Sequence, residues 1–324
     1  MSVIVTAGLS VPLVSVIVVN YNGRHLLGDC FRSLIQQTYG NYEIILVDNG
    51  SKDDSTSFVK KHFPDIRILQ LSSNIGFAGG TNAGIREARG EYLLTLNNDT
   101  CVFPEFIESF IQPMMRGSLV GMCASKMIFP DKRINSTGIC ISRSGAAWNR
   151  GEFEQDRGQY NHEEEVFCPC AGAALYRRTM LDEIGLFDED FFLFMEDVDL
   201  GFRGQLAGWK CIYVPEARVI HLHGKTAGSD VSIYYINRNL LWNVVKNFPT
   251  RTFLYSIPWI TGRFCSVIPY YFLQGKQKII VRAKIDAVKG LRTMAEKRKR
   301  IKKIVSDGEI NRWIRTWGSF PAPE

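Results

Sequence analysis

Three groups of side chains in this sequence are of a type and spacing that could do chemistry. The first is Asp99, the end of an Asn97-Asn98-Asp99 run that directly follows an apolar stretch. A carboxylate there suits a hard divalent cation, Mg²⁺ or Mn²⁺, which prefers oxygen ligands, keeps several waters and can neutralise a departing diphosphate. The second is Glu196-Asp197-Val198-Asp199 at the start of a helical pattern, just after the aromatic run Phe191-Phe192-Leu193-Phe194. The helix dipole favours acids in a first turn, which accounts for one or two of the three, and Asp199 reads as a structural or capping contact. Glu196 and Asp197 are left as catalytic candidates, with Asp197 the one expected to take a proton from an attacking hydroxyl. The third is His221, ahead of His223 and Gly224-Lys225-Thr226-Ala227-Gly228-Ser229. A lone histidine is more often structural. Here the imidazole could complete a metal shell begun by Asp99, while Lys225 could meet a phosphate.

A nucleotide pocket can be read from the polar residues closer to the N-terminus. Asp48 can accept hydrogen bonds from a base or ribose, and Asn20 and Asn22 can both donate and accept. The segment running from Asn74 through Gly80 and Asn82 to Gly84 carries four glycines and brings backbone N–H groups to a helix start, which suits a phosphate. Glycine also serves tight turns and close helix packing, so the run has a purely structural reading as well.

These residues need a frame. Short apolar, β-branched runs at 14–19, 43–47, 66–71 and 92–96 alternate with helix-like segments at 25–37 and 78–89, the rhythm of a parallel sheet with crossover helices. In the first helix Leu26, Leu27, Cys30, Leu34 and Ile35 share one face and are expected against the sheet. Ligands of such sheets bind beyond the carboxyl ends of the strands, and the four tetrads there, 20–23, 48–51, 73–76 and 97–99 with its neighbours, are all polar. Asn98 belongs to that rim. The Gly-, Arg- and Glu-rich stretch 143–165 reads as a surface excursion. A strand at 173–176, helices at 179–184 and 196–206, a strand at 210–214 and another ending at His221 are expected to complete the domain.

From 231 onward the chain reads as helical, with segments at 234–245 and 252–273. The second approaches transmembrane length, but Arg263, Pro258 and Pro269 interrupt it, which argues against a span. Either an interfacial amphipathic segment or helices packed on the domain with a solvated basic face fits the pattern. Within 276–303 twelve Lys/Arg residues face only Asp286 and Glu296, so the net charge of +6 belongs to this tail and does not indicate nucleic-acid binding. The 324 residues, 45% hydrophobic and 22% charged, suit an ordinary globular protein. Eight cysteines lack a C-x-x-C pair or zinc spacing and are expected as reduced thiols, and residues 1–13 do not read as a secretory signal, which points to a cytoplasmic compartment.

The segments VSVIVVNYNG, IILVDNGSKDDS, NIGFAGGTNAG, LLTLNNDT, GAALYRR, GLFDEDFFLFMEDVDLGFR and HLHG occur in this order over residues 14–248. Together they resemble the family 2 glycosyltransferases of the A-type fold, in particular the bacterial rhamnosyltransferase-like branch. The resemblance implies an α/β, Rossmann-like and mostly parallel sheet with crossover helices. It places a catalytic domain at 1–230, divided into a nucleotide-sugar half at 14–100 and an acceptor half at 101–230, before a helical, amphipathic and basic extension at 231–324. It implies a nucleotide-sugar donor, a divalent metal and a single displacement that inverts the anomeric centre. Asn20, Asn22 and Asp48 then look like nucleoside contacts, and Asn74, Gly80 and Asn82 like the donor-side turn and helix. Asp99 looks like the last acid of the family's Asp-x-Asp motif, Asp197 like its base and His221 like its metal-proximal histidine. Asn97 departs from the pattern, because an acid usually stands there. Branch membership suggests dTDP-rhamnose and a polyprenyl-diphosphate-linked saccharide acceptor, in O-antigen or capsule synthesis at the inner face of the plasma membrane. A different donor such as a UDP-sugar, or a non-catalytic nucleotide-binding or membrane scaffold, is the competing reading.

Overall fold

A computed structural model describes residues 11–222 and 229–315. Val14–Asn20 (β1), Arg24–Leu34 (α1), Tyr42–Asp48 (β2), Ser55–His62 (α2), Arg67–Gln70 (β3), Gly76–Glu87 (α3) and Tyr92–Asn97 (β4) alternate as the sequence rhythm requires. Thr100–Val102 (β5), Phe106–Arg116 (α4), Val120–Ile128 (β6), Ile134–Ser136 (β7), Ile139–Ser142 (β8), Ala147–Asn149 (β9) and Glu164–Val166 (β10) follow. Next come Ala173–Arg177 (β11), Arg178–Ile184 (α5), Glu196–Leu206 (α6) and Lys210–His221 (β12). The chain closes with Ser229–Asn247 (α7), Thr250–Leu273 (α8), Gln277–Lys289 (α9), Leu291–Arg298 (α10), Asp307–Asn311 (α11) and Ile314–Arg315 (β13).

The main sheet runs β10-β12-β6-β11-β4-β1-β2-β3, with β5 added on β12 and β7 on β6. Strands β3, β2, β1 and β4 are mutually parallel, while β11 is antiparallel to both β4 and β6. The central strands read as unbroken apolar runs because both faces are covered. Val16 and Val18 of β1 pack with Leu27, Phe31, Phe106 and Phe110 on one side, and Ile17 packs with Ala78, Ile85 and Met180 on the other. Helix α3 can lie close to β1 because glycines stand where the two approach most closely. A Cβ on Gly84 would stand 2.5 Å from Ile17 Cγ2, and one on Gly80 would stand 2.9 Å from Val19 Cγ1.

Several expectations need correction. Helix α1 stops at Leu34, and Ile35 is its C-cap and 54% exposed, so it does not join the buried face. The stretch 143–165 is not all surface: β9 and the start of β10 lie in it, and β8 and β9 form a second sheet with β13. The two strands expected at 210–214 and up to His221 are one strand, β12, whose register against β6 shifts between Val214 and Arg218. Pro215 lies in that interval, and a residue without an N–H favours such a break in the ladder.

The C-terminal segment shares a core with the middle of the chain. Phe167, Phe191, Phe202 and Val198 pack in one cluster with Trp242, Phe248, Ile260, Met294 and Ile314. Helix α7 therefore lies against α6 and the loop before it, which matters for the site. All eight cysteines are unpaired.

Candidate active site

The carboxyl rim of the sheet gathers most of the expected residues. Parallel register sets Asn20 beside Asp48 and Val19 beside Asn97, so the tips of β1, β2 and β4 lie side by side. The antiparallel β11 begins at the same rim, with Ala173 opposite Leu96. His221, at the end of β12, pairs with Thr100 of β5.

On the nucleotide side, the polar residues divide into scaffolding and one unsatisfied acid. Asn20 is fully buried, donates to Ser55 Oγ (3.0 Å) and Ser51 Oγ (3.3 Å), and accepts from Asn98 Nδ2 at 2.8 Å. Asn20 and Asn98 thus lock adjacent strand tips together. Asn22, in the left-handed region at φ 52°, accepts from Lys52 N–H at 2.7 Å and gives its own N–H to Ser51 Oγ, tying the loops after β1 and β2. Asp48 differs from all of these. It is 1% exposed and neither carboxylate oxygen has a hydrogen-bond donor, a deficit that a ligand with O–H or N–H groups would relieve.

The turn into α3 is built differently from the sequence expectation. Asn49 donates to Asn74 Oδ1 (3.1 Å) and Gly76 O (2.9 Å) and accepts from Ile75 N–H (3.0 Å), while Asn74 Oδ1 also takes Gly76 N–H. Ala78 N–H goes to Phe192 O at 3.2 Å. The N–H groups of Ile75, Gly76 and Ala78 are therefore already committed within the protein, which corrects the reading of this whole run as a phosphate cradle. Asn82 is corrected too: its amide bonds both the N–H and the carbonyl of Phe187 and the carboxylate of Glu189, which staples α3 to the segment before α6. Gly80 serves the close approach of α3 to β1.

Asp99 and His221 do meet. Asp99 Oδ1 lies 3.2 Å from His221 Nε2, both side chains being buried, yet no aligned hydrogen bond reaches that oxygen. His221 Nδ1 faces Asn135 Oδ1 at 2.8 Å, and Asn97 Nδ2 stands 3.4 Å from Nε2. An under-satisfied carboxylate oxygen against an imidazole nitrogen fixed from behind fits a divalent cation that draws its other ligands from phosphates and water. Among the described residues no three His, Cys, Asp or Glu side chains cluster as a metal site; Asp99 and His221 are the pair there that could hold one, with Asn97 as neutral neighbour. Lys225 and His223 lie outside the described residues.

The acidic pair sits on α6 at the same rim. Asp197 Oδ2 accepts from Ala171 N–H (3.2 Å) and Oδ1 from Val198 N–H (2.8 Å). Ala171 is followed by Gly172, the residue before β11, whose carbonyl accepts from Asn97 N–H at 2.9 Å. A continuous chain of contacts therefore runs from Asp197 through residues 171 and 172 to Asn97, His221 and Asp99. Burial pushes the Asp197 carboxyl up from 3.8 to about 6, against the two backbone N–H bonds. The groups facing it are Glu196 on its own helix, the thiols of Cys168 and Cys170, and the phenol of Tyr176. Glu196 is 5% exposed, Oε2 has no partner, and burial together with the Asp197 charge raises it well above the usual carboxylate range. A carboxyl near 6 is suited to accept a proton at neutral pH.

Asp199 is structural, as expected. Burial opposes its charge, but Lys246 at 2.6 Å and Arg203 at 2.9 Å hold it down to about 2, and Asn247 donates at 2.9 Å. Asn49, Asn135 and the α7 residues Asn239 and Asn243 were missed in the sequence. The last two had a visible signal, because Asn239, Asn243 and Asn247 repeat every four residues along one face of the helix, and all three are buried.

The description "Glycosyl transferase family 2" matches residues 15–185. An N-acetylglucosaminyl-diphospho-decaprenol L-rhamnosyltransferase of Mycobacterium tuberculosis is 27% identical over 239 residues, 66% of this chain and 78% of that protein. An uncharacterized glycosyltransferase, YwdF of Bacillus subtilis, is 30% identical over 74% of this chain and 87% of its own length. The O-antigen biosynthesis protein RfbC of Myxococcus xanthus is 27% identical over 68% of this chain but only 18% of that protein. Among solved structures, the mannosyltransferase PcManGT from Pyrobaculum calidifontis in complex with GDP-Man and Mn²⁺ superposes with a TM-score of 0.55 at 16% identity, covering 86% of this chain and 87% of that one. GalNAc-T7 with UDP, GalNAc and Mn²⁺ gives 0.61 at 17% identity over 74% of this chain and 48% of the other, a likeness of fold.

Proposed function

The chain belongs to glycosyl transferase family 2 and is a glycosyltransferase of the A-type fold; from that premise we propose that it transfers rhamnose from dTDP-rhamnose, with inversion, to a hydroxyl of a polyprenyl-diphosphate-linked saccharide in surface-polysaccharide synthesis. The observation that carries the mechanism is the half-buried Asp197 carboxyl, joined through residues 171, 172 and 97 to the Asp99–His221 pair. Asp197 takes the proton of the acceptor hydroxyl as that oxygen bonds to the anomeric carbon. The bond from that carbon to the diphosphate breaks, and its electron pair leaves with the nucleoside diphosphate. Glu196, held neutral by burial, adds no second negative charge beside the base. Asp48 receives the donor's nucleoside in its unsatisfied acceptor position, with Asn20, Asn22 and Asn98 stiffening the loops around it.

Asp99 and His221 are the residues that would hold Mn²⁺ or Mg²⁺; the solved neighbours carry Mn²⁺ together with GDP-Man in one and with UDP and GalNAc in the other, which supports the assignment. When bound, such an ion stabilises the charge that develops on the departing diphosphate. The relative named as a rhamnosyltransferase on a decaprenol-linked N-acetylglucosamine supports both the donor sugar and the lipid-linked acceptor.

A lipid-linked acceptor places the enzyme peripherally at the inner face of the plasma membrane. No helix among the described residues is long and apolar enough to cross a bilayer. Helix α8 nevertheless exposes Leu254, Tyr255, Tyr270 and Leu273, and α9 exposes Val281, Ile285 and Val288 among Lys278, Arg282 and Lys289. Apolar side chains set among cations suit an anionic headgroup layer.

The test is a donor panel. Purified protein is incubated with Mn²⁺ and each of several nucleotide-sugars, with and without lipid-linked N-acetylglucosamine, and nucleoside diphosphate release is measured. Acceptor-stimulated turnover of dTDP-rhamnose is expected. Turnover of a UDP- or GDP-sugar instead overturns the donor assignment, and no turnover with any donor favours a scaffold.

A further inference from the structure

The loop that delivers the acidic pair is conformationally expensive, and helix α7 holds it. Phe192 has φ 64° and ψ −60°, and Leu193 N–H bonds back to Phe191 O at 2.7 Å, which makes a γ-turn of the rare, strained hand. Phe194 has φ 64°, and Met195, the residue directly before Glu196, is left-handed at φ 69°, ψ 0°. Three bulky residues out of four therefore adopt backbone states that usually need glycine, each costing about 1–3 kcal/mol, and such states persist only where surroundings over-determine them.

Asn239 supplies much of that determination. Fully buried, its amide nitrogen donates to Phe191 O (2.9 Å), Leu193 O (3.0 Å) and Phe194 O (2.7 Å), two hydrogens shared among three carbonyls. Its own oxygen is fixed by Arg238 Nε at 2.8 Å, and the Arg238 guanidinium also bonds Asp190 O and Phe191 O. Asn243 Nδ2 donates to Met195 O at 2.9 Å. The Phe192 ring stacks on Tyr235, centroids 5.1 Å apart at 12°. From the opposite side, Phe192 O receives Ala78 N–H, and Gly76 leaves room for that carbonyl because a Cβ there would stand 2.4 Å from it.

We propose that Asn239 is a positioning residue for the Glu196–Asp197 pair, acting through the strained 191–195 backbone; this rests on the reading of Asp197 as the base. Without the three carbonyl anchors, Met195 can relax out of the left-handed region. The first turn of α6 then reorients, and Asp197 loses its bond to Ala171 N–H and its partial burial. Helix α7 thereby becomes part of the catalytic apparatus although none of its residues needs to touch substrate.

The experiment compares Asn239→Ala with Asn237→Ala, a control on the same helix whose amide donates to Ile233 O and accepts from Lys284 Nζ, with no bond to the 191–195 backbone. The first readout needs no substrate: the Asp197 carboxyl titration, followed by ¹³C NMR on aspartate-labelled full-length protein and assigned with Asp197→Asn. Asn239→Ala is expected to move the midpoint from about 6 toward 3.8 by at least one unit, with Asn237→Ala unchanged. An unmoved midpoint overturns the proposal. The second readout, with dTDP-rhamnose, Mn²⁺ and lipid-linked N-acetylglucosamine, is expected to show kcat per folded enzyme lowered at least thirtyfold and donor KM changed less than threefold. Wild-type kcat per folded enzyme, with only a lower melting temperature, also overturns it. If Asn239→Ala does not fold, Asn239→Ser, which keeps one donor, replaces it and must shift the midpoint in the same direction. Undiminished turnover by Asp197→Asn, by contrast, overturns the base assignment and leaves the titration result to judge Asn239.

Discussion

Replacing Asp197 by asparagine should slow the chemistry severely and yet stabilise the protein at neutral pH. In the folded chain the carboxyl ionises near 6 against an ordinary 3.8, because burial penalises its charged form. The folded state therefore holds this proton to higher pH than the unfolded state does. Stability is lost as pH rises from about 4 to about 6, and the penalty is fully present above that window. A difference of about two pH units at about 1.4 kcal/mol each amounts to about 3 kcal/mol of destabilisation at pH 7.5. Asparagine carries no charge to desolvate, but its single oxygen can serve only one of the two N–H donors, from Ala171 and Val198, that the carboxylate accepts. An unmade bond costs about 1 kcal/mol, leaving a net gain of about 2 kcal/mol at pH 7.5 and a net loss of about 1 kcal/mol at pH 4. Urea unfolding of both proteins at pH 4, 5, 6 and 7.5 measures this directly, and the two stability curves should cross. A variant less stable than wild type at pH 7.5, or a difference that does not change with pH, refutes the reasoning. In the same protein kcat should fall by about 10²–10⁴, the usual worth of a general base, with donor KM nearly unchanged.

The wild-type kcat should fall about tenfold per pH unit below about 6, as expected for a base that must be ionised; an acid limb centred near 4 would show that burial does not control the group. Asp99→Ala should lose Mn²⁺-dependent turnover, His221→Ala should weaken Mn²⁺ binding measured by calorimetry, and full wild-type turnover in excess chelator would refute the metal assignment. Gly76→Ala meets both a positive φ of 81° and the Phe192 carbonyl, whereas Gly275→Ala meets only a φ of 72° in open space. The second should cost about 1 kcal/mol and the first at least about 2 kcal/mol more, read as melting temperatures, and equal losses would exclude the steric term. Lys246→Met leaves Asp188 and Asp199, each 2.6 Å from the ammonium, without their shared cation in a buried setting. A loss of about 3–5 kcal/mol is expected, and one below about 1 kcal/mol would show that Arg203 and Lys297 suffice.

Much of this molecule is written locally. The alternating apolar runs fixed the four parallel strands and their order of appearance, because a strand buried on both faces must be apolar throughout. The rim residues followed from where such strands end, and the first turn of α6 was marked by its acids. What local pattern could not specify is which polar group faces which. Asn20, Asn22, Asp48, Asn74 and Asn82 are all short polar residues after strands or in a helix. Only the packed structure shows that four of them spend their hydrogen bonds on neighbouring loops and that Asp48 does not. Nor could the sequence show that α7, apparently part of an appendage, reaches back with Asn239 and Asn243 to hold the backbone ahead of Glu196. A left-handed Met195 contradicts its own local preference, and such a state exists only where contacts from distant segments outweigh it. The residue types therefore announced the chemistry, while the pairing of buried donors with acceptors, a property of the whole packed chain, decided which of those residues were left free to perform it.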